Sequence, residues 1–236
     1  MKKVEVISLI FQSTGYLDFI HDQLERYAEA DGYDVSYRVV ANDATDKVLN
    51  HLVEKNIPHS VFTNPDLDEY YLVRVYRAWN YAVQSSDADI VCLVNSDMAF
   101  SPGWLDNLLK HYEEDNVVCS RLVESGKMRS GQYGISMNFG RTYSEYDEEG
   151  FLEYAQAISE TGVHEGGLFM PCLVTPSNFP GYPEGNVYNV NGVLKAGYYP
   201  GHPIRMSGDA FLFKNMQHKT AFDSIVYHIQ EGEKDE

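Results

Sequence analysis

The sequence predicts an α/β fold in which helices flank a doubly wound, mostly parallel sheet. Short apolar runs alternate with segments whose apolar residues recur every three or four positions, as strands and amphipathic helices do. Polar residues and turn formers such as Asn, Asp, Gly and Pro follow the runs. The order strand, helix, strand, helix, strand, helix, strand is typical of a doubly wound sheet.

Each element has its own signal. Ile90–Val94 is continuously apolar and is the strongest strand signal in the chain. Ser101-Pro102 combines a capping residue with a proline suited to a first helical turn, and therefore predicts a helix start. The predicted strands of this half are 4–11, 33–41, 60–63 and 90–94, and the predicted helices are 17–30, 46–55, 72–83 and 101–112.

The second half of the chain is less regular. Residues 117–123 are predicted to form a strand, but Ser125 to Pro200 is rich in Gly, Pro, Tyr and Asn. Helical character is predicted there only around Phe151–Ser159. Regular elements are predicted again at Asp209–Phe213 and Ser224–Ile229.

The charge of the chain restricts its partners. Lys and Arg number 18 against 35 Asp and Glu, a formal net charge of −17. A field of that sign repels phosphate backbones and anionic lipids, so the binding of nucleic acids and of membrane surfaces is disfavoured. A small ligand that carries phosphate would need a bound cation or a few well-placed arginines.

The cysteines indicate a reducing compartment. Cys92, Cys119 and Cys172 are odd in number, widely spaced and set in apolar surroundings, so neither a disulfide framework nor a zinc site is indicated. We expect buried free thiols and a cytoplasmic location. Glu5 interrupts the apolar start of the chain, which predicts a strand rather than a signal sequence. No apolar stretch has the roughly 18 residues that a membrane-spanning helix needs.

Three polar segments follow predicted strands: Gln12–Gly15, Asn42–Ala44 and Asn95–Asp97. In doubly wound sheets ligands bind beyond the carboxyl ends of the strands, so these segments are the candidate ligand-binding loops. A carboxylate such as Asp97 can hold a hard divalent cation there. An Asp that ends a strand is also a common turn former.

Several motifs occur in a defined order along the chain. The segments Ala78–Ala82, Asp89–Met98 and Pro102-Gly103-Trp104-Leu105 resemble the inverting GT-A glycosyltransferases of family 2. That family has a helix with an Asn, a strand that ends in a DXD-like triplet, and often a Pro-Gly-Trp-Leu helix start. Further segments that resemble the family are Asn42–Asp46, Phe179–Glu184, Ser207–Phe211 and Tyr227-His228.

The resemblance implies a single GT-A domain over residues 1–236. Residues 1–116 would bind a nucleotide sugar, and residues 117–236 would supply the acceptor side and the catalytic groups. The implied reaction moves a sugar from a nucleotide-diphosphate donor to a hydroxyl acceptor, such as a glycan, with inversion at the anomeric carbon.

The resemblance also implies a divalent metal ion. Asp97 and His228 would hold Mn²⁺ or Mg²⁺ against the donor phosphates, and the nitrogen ligand favours Mn²⁺. The first DXD position is Asn95, so direct ligation falls mainly on Asp97. If the resemblance is set aside, a lone histidine on a strand such as Ser224–Ile229 is more often a packed or hydrogen-bonded residue than a metal ligand.

Other residues are implied to contact the donor. Gln12, Asn80, Asn95 and Ser96 fall at donor-side positions. The family's arginine before the helix Asn is replaced by Trp79, and two arginines about one helical turn away are candidates to take over its phosphate contact: Arg74 and Arg77.

Asp43 matches the acidic turn that contacts the nucleoside in the family. We expect it to accept a hydrogen bond from the base N–H of a uracil- or thymine-type nucleotide, which favours a UDP- or dTDP-linked donor. A second interpretation, compatible with the first, is that Asn42-Asp43 ends a strand in a turn.

A carboxylate is needed to deprotonate the acceptor hydroxyl. Asp209, in the motif Ser207–Phe211, is implied to be this general base, and Glu184 is the competing candidate. Asp209 could instead cap the apolar segment that follows it.

Two other classes of protein remain open. A sugar-nucleotide-forming nucleotidyltransferase would need a basic, Gly-rich loop after the first strand, and Gln12–Gly15 has no basic residue. A catalytically silent glycan- or nucleotide-binding module on the same fold would differ only in lacking activity.

Overall fold

The helices and strands of the protein alternate along its first half, as the sequence predicts. The computed structural model describes residues 1–69, 71–126, 132–167, 170–182, 186–190, 193–197 and 216–229. The strands among them are β1 Lys2–Ile10, β2 Tyr33–Asn42, β3 His59–Phe62, β4 Ile90–Val94, β5 Met98–Phe100, β6 Asn116–Glu124, β7 Ile135–Ser136, β8 Val163–Glu165, β9 Cys172–Val174, β10 Asn186–Val190, β11 Val193–Gly197 and β12 Gln217–His228. The α-helices are α1 Thr14–Tyr27, α2 Asp46–Glu54, α3 Tyr71–Gln84, α4 Trp104–Lys110 and α5 Glu148–Ile158.

The first four strands form the predicted parallel part of the sheet. β1 pairs with β2 and with β4, β2 pairs with β3, and all three pairings are parallel. Ser13 begins α1 by accepting a hydrogen bond from the Tyr16 amide (3.2 Å), and Thr45 begins α2 in the same way (3.4 Å to Val48). Because parallel strands share one direction, the loops after β1, β2 and β4 lie at the same edge.

The rest of the sheet is mixed. In the described residues the strand order is β3-β2-β1-β4-β9-β6-β12-β5, so strands of both halves share one sheet. β9 runs antiparallel between β4 and β6, and β12 is parallel to β6 but antiparallel to β5. The α/β class is confirmed. The antiparallel members β5 and β9 have three residues each, too few to show a period of their own.

The predicted helix start at Ser101-Pro102 is wrong by two residues. The N-cap of α4 is Gly103, which has a left-handed φ of 73° and makes no side-chain capping bond. The Ser101 hydroxyl instead donates to the Ile225 carbonyl oxygen at 2.8 Å, joining the end of β5 to β12. The serine that was predicted to cap the helix therefore forms a hydrogen bond within the sheet.

The core consists of two clusters of buried apolar residues. The largest side chains in it that are almost fully buried are Trp104, Tyr227, Phe100 and Phe151. The polar tips of the first two have partners: the Trp104 indole N–H donates to the Tyr27 carbonyl (2.9 Å), and the Tyr227 hydroxyl accepts from the Phe139 amide (2.9 Å). A buried indole or phenol without such a partner would be costly.

The three cysteines are free and buried, as expected. Burial raises the pKa of the Cys92 thiol well above its ordinary value, which keeps it uncharged. None of the helices in the described part of the chain combines the length and the apolar character that crossing a membrane requires.

Candidate functional site

The candidate site lies at the edge of the sheet where β4 ends. The chain turns at Asn95-Ser96-Asp97 between β4 and β5, and Asn95 and Ser96 are half-buried while Asp97 is 8% exposed. Gln12 is half-buried in the loop after β1, at the same edge of the sheet. The predicted triplet and the first predicted loop thus occupy the position at which doubly wound sheets bind ligands.

His228 lies beside Asp97 because of the strand order. β12 ends at His228, and its last three residues pair antiparallel with β5, which begins directly after Asp97. The Ile229 amide also donates to the Asp97 carbonyl at 3.0 Å. As a result, Nε2 of His228 is 3.2 Å from Oδ1 of Asp97. The structure therefore brings together the two residues predicted to bind a metal ion.

A second carboxylate contacts the other side of the imidazole. Glu124 is the last residue of β6, pairs in register with His228, and is completely buried. Its Oε2 is 2.9 Å from Nδ1 of His228. Burial works against the imidazolium cation, but the charge of Asp97 and the hydrogen bonds that both carboxylates accept from the ring outweigh it and raise the pKa of His228 to about 10.

Glu124 was not among the predicted site residues. The available signal was a carboxylate directly after the predicted strand 117–123, at its carboxyl end. A carboxylate in that position resembles Asp97 after β4, but nothing in the local pattern shows that the two strands carry their carboxylates to the same histidine.

Asp43 lies in a network of hydrogen bonds at the end of β2. Its Oδ1 accepts from the Asn64 amide (2.7 Å), and its Oδ2 accepts from Asn64 Nδ2 (2.9 Å) and Arg74 Nη1 (3.1 Å). The Asp43 side chain is 5% exposed, and its backbone has a left-handed φ of 49°. Asp43 therefore closes a turn at the end of β2 and holds Arg74; its contact with a base stays a prediction.

The two candidate arginines have different partners. Arg74 is paired with Asp43, whereas Arg77 forms a two-pronged ion pair with both carboxylate oxygens of Glu69. Trp79 is 4% exposed and packs in the core, so it cannot replace the family's arginine at a phosphate. Arg74 is the candidate that lies against a second predicted donor residue.

Asn80 contacts the backbone of the second half. Its Nδ2 donates to the Tyr182 carbonyl (2.9 Å) and its Oδ1 accepts from the Tyr182 amide (2.6 Å), so both ends of the amide are used. The Tyr182 ring also stacks on Tyr76, which lies on α3 with Asn80, and the two ring centroids are 5.4 Å apart. Gly181 has a left-handed φ of 80°, and a side chain there would come within 3.3 Å of Asn80. Asn80 thus attaches the segment before Glu184 to α3.

The two candidate bases, Asp209 and Glu184, lie outside the described residues. Among the described residues, no group of three or more acidic, cysteine or histidine side chains could hold one metal ion. Asp97 and His228 nevertheless fit as a pair. An ion with ligands at about 2.1 Å and right angles keeps neighbouring ligand atoms about 3 Å apart, close to the 3.2 Å between Nε2 and Oδ1.

Comparison with known proteins finds one matching family model. A family model described as glycosyl transferase family 2 matches residues 71–165, which include α3, the triplet at Asp97 and β6. A comparison with curated proteins finds no match.

Solved structures share the fold. Residues 1–349 of TarS from S. aureus superpose with a TM-score of 0.54 at 13% identity, covering 96% of this chain and 60% of that one. GalNAc-T7, crystallised with UDP, GalNAc and Mn²⁺, superposes with a TM-score of 0.59 at 9% identity, covering 97% and 44%. The mannosyltransferase PcManGT from Pyrobaculum calidifontis, in complex with GDP-Man and Mn²⁺, gives 0.54 at 10% identity, covering 98% and 58%.

This chain spans only about half of the length of these proteins, between 44% and 60%. At such identities the superpositions establish the fold alone, while the family model adds a match in sequence over residues 71–165. The chain therefore has the GT-A glycosyltransferase fold and resembles glycosyl transferase family 2.

Proposed function

We propose that this protein is a metal-dependent glycosyltransferase that moves a sugar from a nucleotide-diphosphate donor to an acceptor hydroxyl, with inversion. The observation that carries the proposal is the pair formed by Asp97 and His228 at the ligand-binding edge of the sheet, 3.2 Å apart. A chain of net charge −17 repels an anionic diphosphate, and a bound cation would offset that repulsion at the site.

Asp97 and His228 would hold Mn²⁺ or Mg²⁺ through Oδ1 and Nε2. When bound, the ion neutralises the negative charge that develops on the leaving nucleoside diphosphate. His228 must give up its proton on Nε2 to become a ligand, and Asp97 keeps that nitrogen directed to the ligand-binding edge. A site in which Asp97 and His228 are the two ligands from the described residues leaves positions for phosphate oxygens and water, as sites of this kind do.

The end of β2 would bind the nucleoside. Asp43 and Asn64 hold Arg74 in place, and the Arg74 side chain is 19% exposed. GalNAc-T7 was crystallised with UDP and a further structure of TarS contains UDP-GlcNAc, which supports a uridine-type donor, whereas PcManGT contains GDP-Man. We favour UDP or dTDP on the strength of Asp43. Gln12, Asn95 and Ser96 would complete the donor side.

The general base would be Asp209, with Glu184 as the competitor. An inverting displacement needs a carboxylate near the attacking hydroxyl, on the face of the sugar opposite to the leaving diphosphate. Its removal should leave donor binding intact, because donor binding depends on the metal ion and on contacts to the nucleoside.

The first experiment is a panel of nucleotide sugars, each tested with Mn²⁺, with Mg²⁺ and with EDTA for protection against thermal unfolding. We expect metal-dependent protection by one class of donor. Equal protection in EDTA would contradict the proposed metal site.

The second experiment separates an enzyme from a silent binding module. Asp209→Asn removes the charge but keeps the shape, and we expect it to retain donor binding while transfer falls roughly 10²–10⁴-fold. Near-normal transfer would move the role to Glu184. A wild-type protein that binds its donor but transfers to no acceptor would favour the binding module, and retention at the anomeric carbon would overturn inversion.

A further inference from the structure

Glu124 is a buried carboxylate whose burial the stability of the fold does not explain. It is completely shielded from solvent at the end of β6, and its Oε1 has no hydrogen-bond partner among the described residues. Burying a carboxylate is expensive unless all of its lone pairs are satisfied, and an apolar residue of similar size would cost less. A completely buried, half-satisfied carboxylate beside a predicted metal ligand therefore points to a role beyond packing.

Among the described residues, the carboxylate of Glu124 is hydrogen-bonded to the imidazole of His228. Oε2 of Glu124 lies 2.9 Å from Nδ1, and Nε2 on the other edge of the ring lies 3.2 Å from Asp97 Oδ1. The two ring nitrogens point in different directions, so Glu124 is not placed to bind the same ion as Asp97, in agreement with the lack of a three-residue ligand group in the described chain.

A carboxylate in this position determines which nitrogen can bind a metal ion. It accepts a hydrogen bond from Nδ1–H, which keeps the proton of the neutral ring on Nδ1 and leaves the lone pair on Nε2. It also holds the ring plane and increases the electron density on Nε2. The parallel register of β6 and β12 makes the contact stiff, because Glu124 and His228 are direct partners in the sheet.

We propose that Glu124 is a positioning residue that orients His228 and selects Nε2 as its metal-binding nitrogen. This inference rests on the metal site of the proposed function. It makes the site a line of three side chains, Glu124, His228 and Asp97, of which only the last two would touch the ion.

The test compares metal affinity with fold stability. Metal-free wild-type protein, Glu124→Gln and Glu124→Leu are titrated with Mn²⁺ alone by calorimetry, and their unfolding temperatures are measured without metal. We expect the affinity for Mn²⁺ to fall about 10–100-fold in Glu124→Leu. Glu124→Gln should lose less, since its amide oxygen can still accept from Nδ1–H.

Glu5→Gln is the matched control. Glu5 is another largely buried carboxylate of the sheet, 16% exposed and paired with Arg38, and its Oε2 likewise has no partner among the described residues. We expect this variant to lower the unfolding temperature and to leave the affinity for Mn²⁺ unchanged.

The outcomes separate the two hypotheses. If the wild-type protein binds Mn²⁺ and both Glu124 variants bind it equally well, Glu124 only joins β6 to β12 and the inference is overturned. If the wild-type protein does not bind Mn²⁺, the proposed metal site itself fails. A loss of affinity in Glu124→Gln without a loss of stability supports the positioning role, even if Glu124→Leu does not fold.

Discussion

In the described residues, two carboxylate clusters lie at the edge of the sheet that carries the predicted ligand-binding loops. They differ in the basic side chain that pairs with the carboxylates, an arginine in one and a histidine in the other. At the end of β2, Asp43 is paired with the guanidinium of Arg74 and with Asn64. At the ends of β6 and β12, Glu124 and Asp97 face the two nitrogens of His228. Both clusters are largely buried, so in each the charges are close to their partners and weakly screened.

The difference matters for what each cluster can bind. Arginine cannot lose its proton in a protein and has no lone pair to offer, so Arg74 can present only donors to a ligand. Histidine can give up a proton and then bind an ion through the free nitrogen. The first cluster is thus suited to the oxygens of a nucleotide, and the second is suited to a divalent cation.

The largest expected effect comes from removing the Asp97 carboxylate of the second cluster. Asp97→Ala should abolish the metal-dependent binding of nucleotide and reduce transfer by about 10³-fold or more, since a bound ion supplies several kcal/mol to charge stabilisation. Binding of the preferred nucleotide diphosphate is measured with Mn²⁺ and with EDTA. Asn95→Ala in the same turn is the control and should have a milder effect, because an amide is a weaker ligand. Equal losses in both variants would assign the effect to the turn.

The next effect concerns the contact between the two halves of the chain. Asn80→Ala removes both hydrogen bonds to the Tyr182 backbone and should lower the free energy of unfolding by about 2–3 kcal/mol, because buried peptide groups are left unsatisfied. Urea unfolding measures it. Gln84→Ala, at the exposed end of the same helix, should change stability little. If Asn80→Ala is equally mild, Asn80 becomes available again as a donor contact.

The smallest effect is expected at the first cluster. Asp43→Ala should weaken binding of the nucleotide by about 1–3 kcal/mol, either through a lost contact with the base or through the release of Arg74. Calorimetry on Asp43→Ala and Arg74→Ala distinguishes the two, since the double variant adds nothing if Asp43 acts only through Arg74. Asp31→Ala, exposed before the start of β2, is the control. An unchanged dissociation constant in Asp43→Ala would leave this residue a role in the turn alone.

Local pattern was sufficient to predict the parallel part of the fold. β4 is observed at the predicted residues, and β1, β2 and β3 differ from their predicted bounds by one or two residues. The reason is that a period of two or of 3.6 residues in apolar side chains is a property of a short segment. At Ser101 the local pattern was not sufficient. It showed a residue that could cap a helix, but it could not show that the hydroxyl bonds to β12 instead.

The sequence by itself determined that polar residues follow β1, β2 and β4, and that Asp97 lies at the edge where ligands bind. Only the tertiary structure decided what those residues contact. Glu124 and His228 are 104 positions apart, and they meet because β12 inserts between β6 and β5, an order that no local period encodes. Likewise, the pairing of Asp43 with Arg74 and the hydrogen bonds of the Asn80 side chain to the Tyr182 backbone depend on packing between elements. Periodicity shows which face of a strand or helix is buried, but the partner across that face is chosen by the fold as a whole.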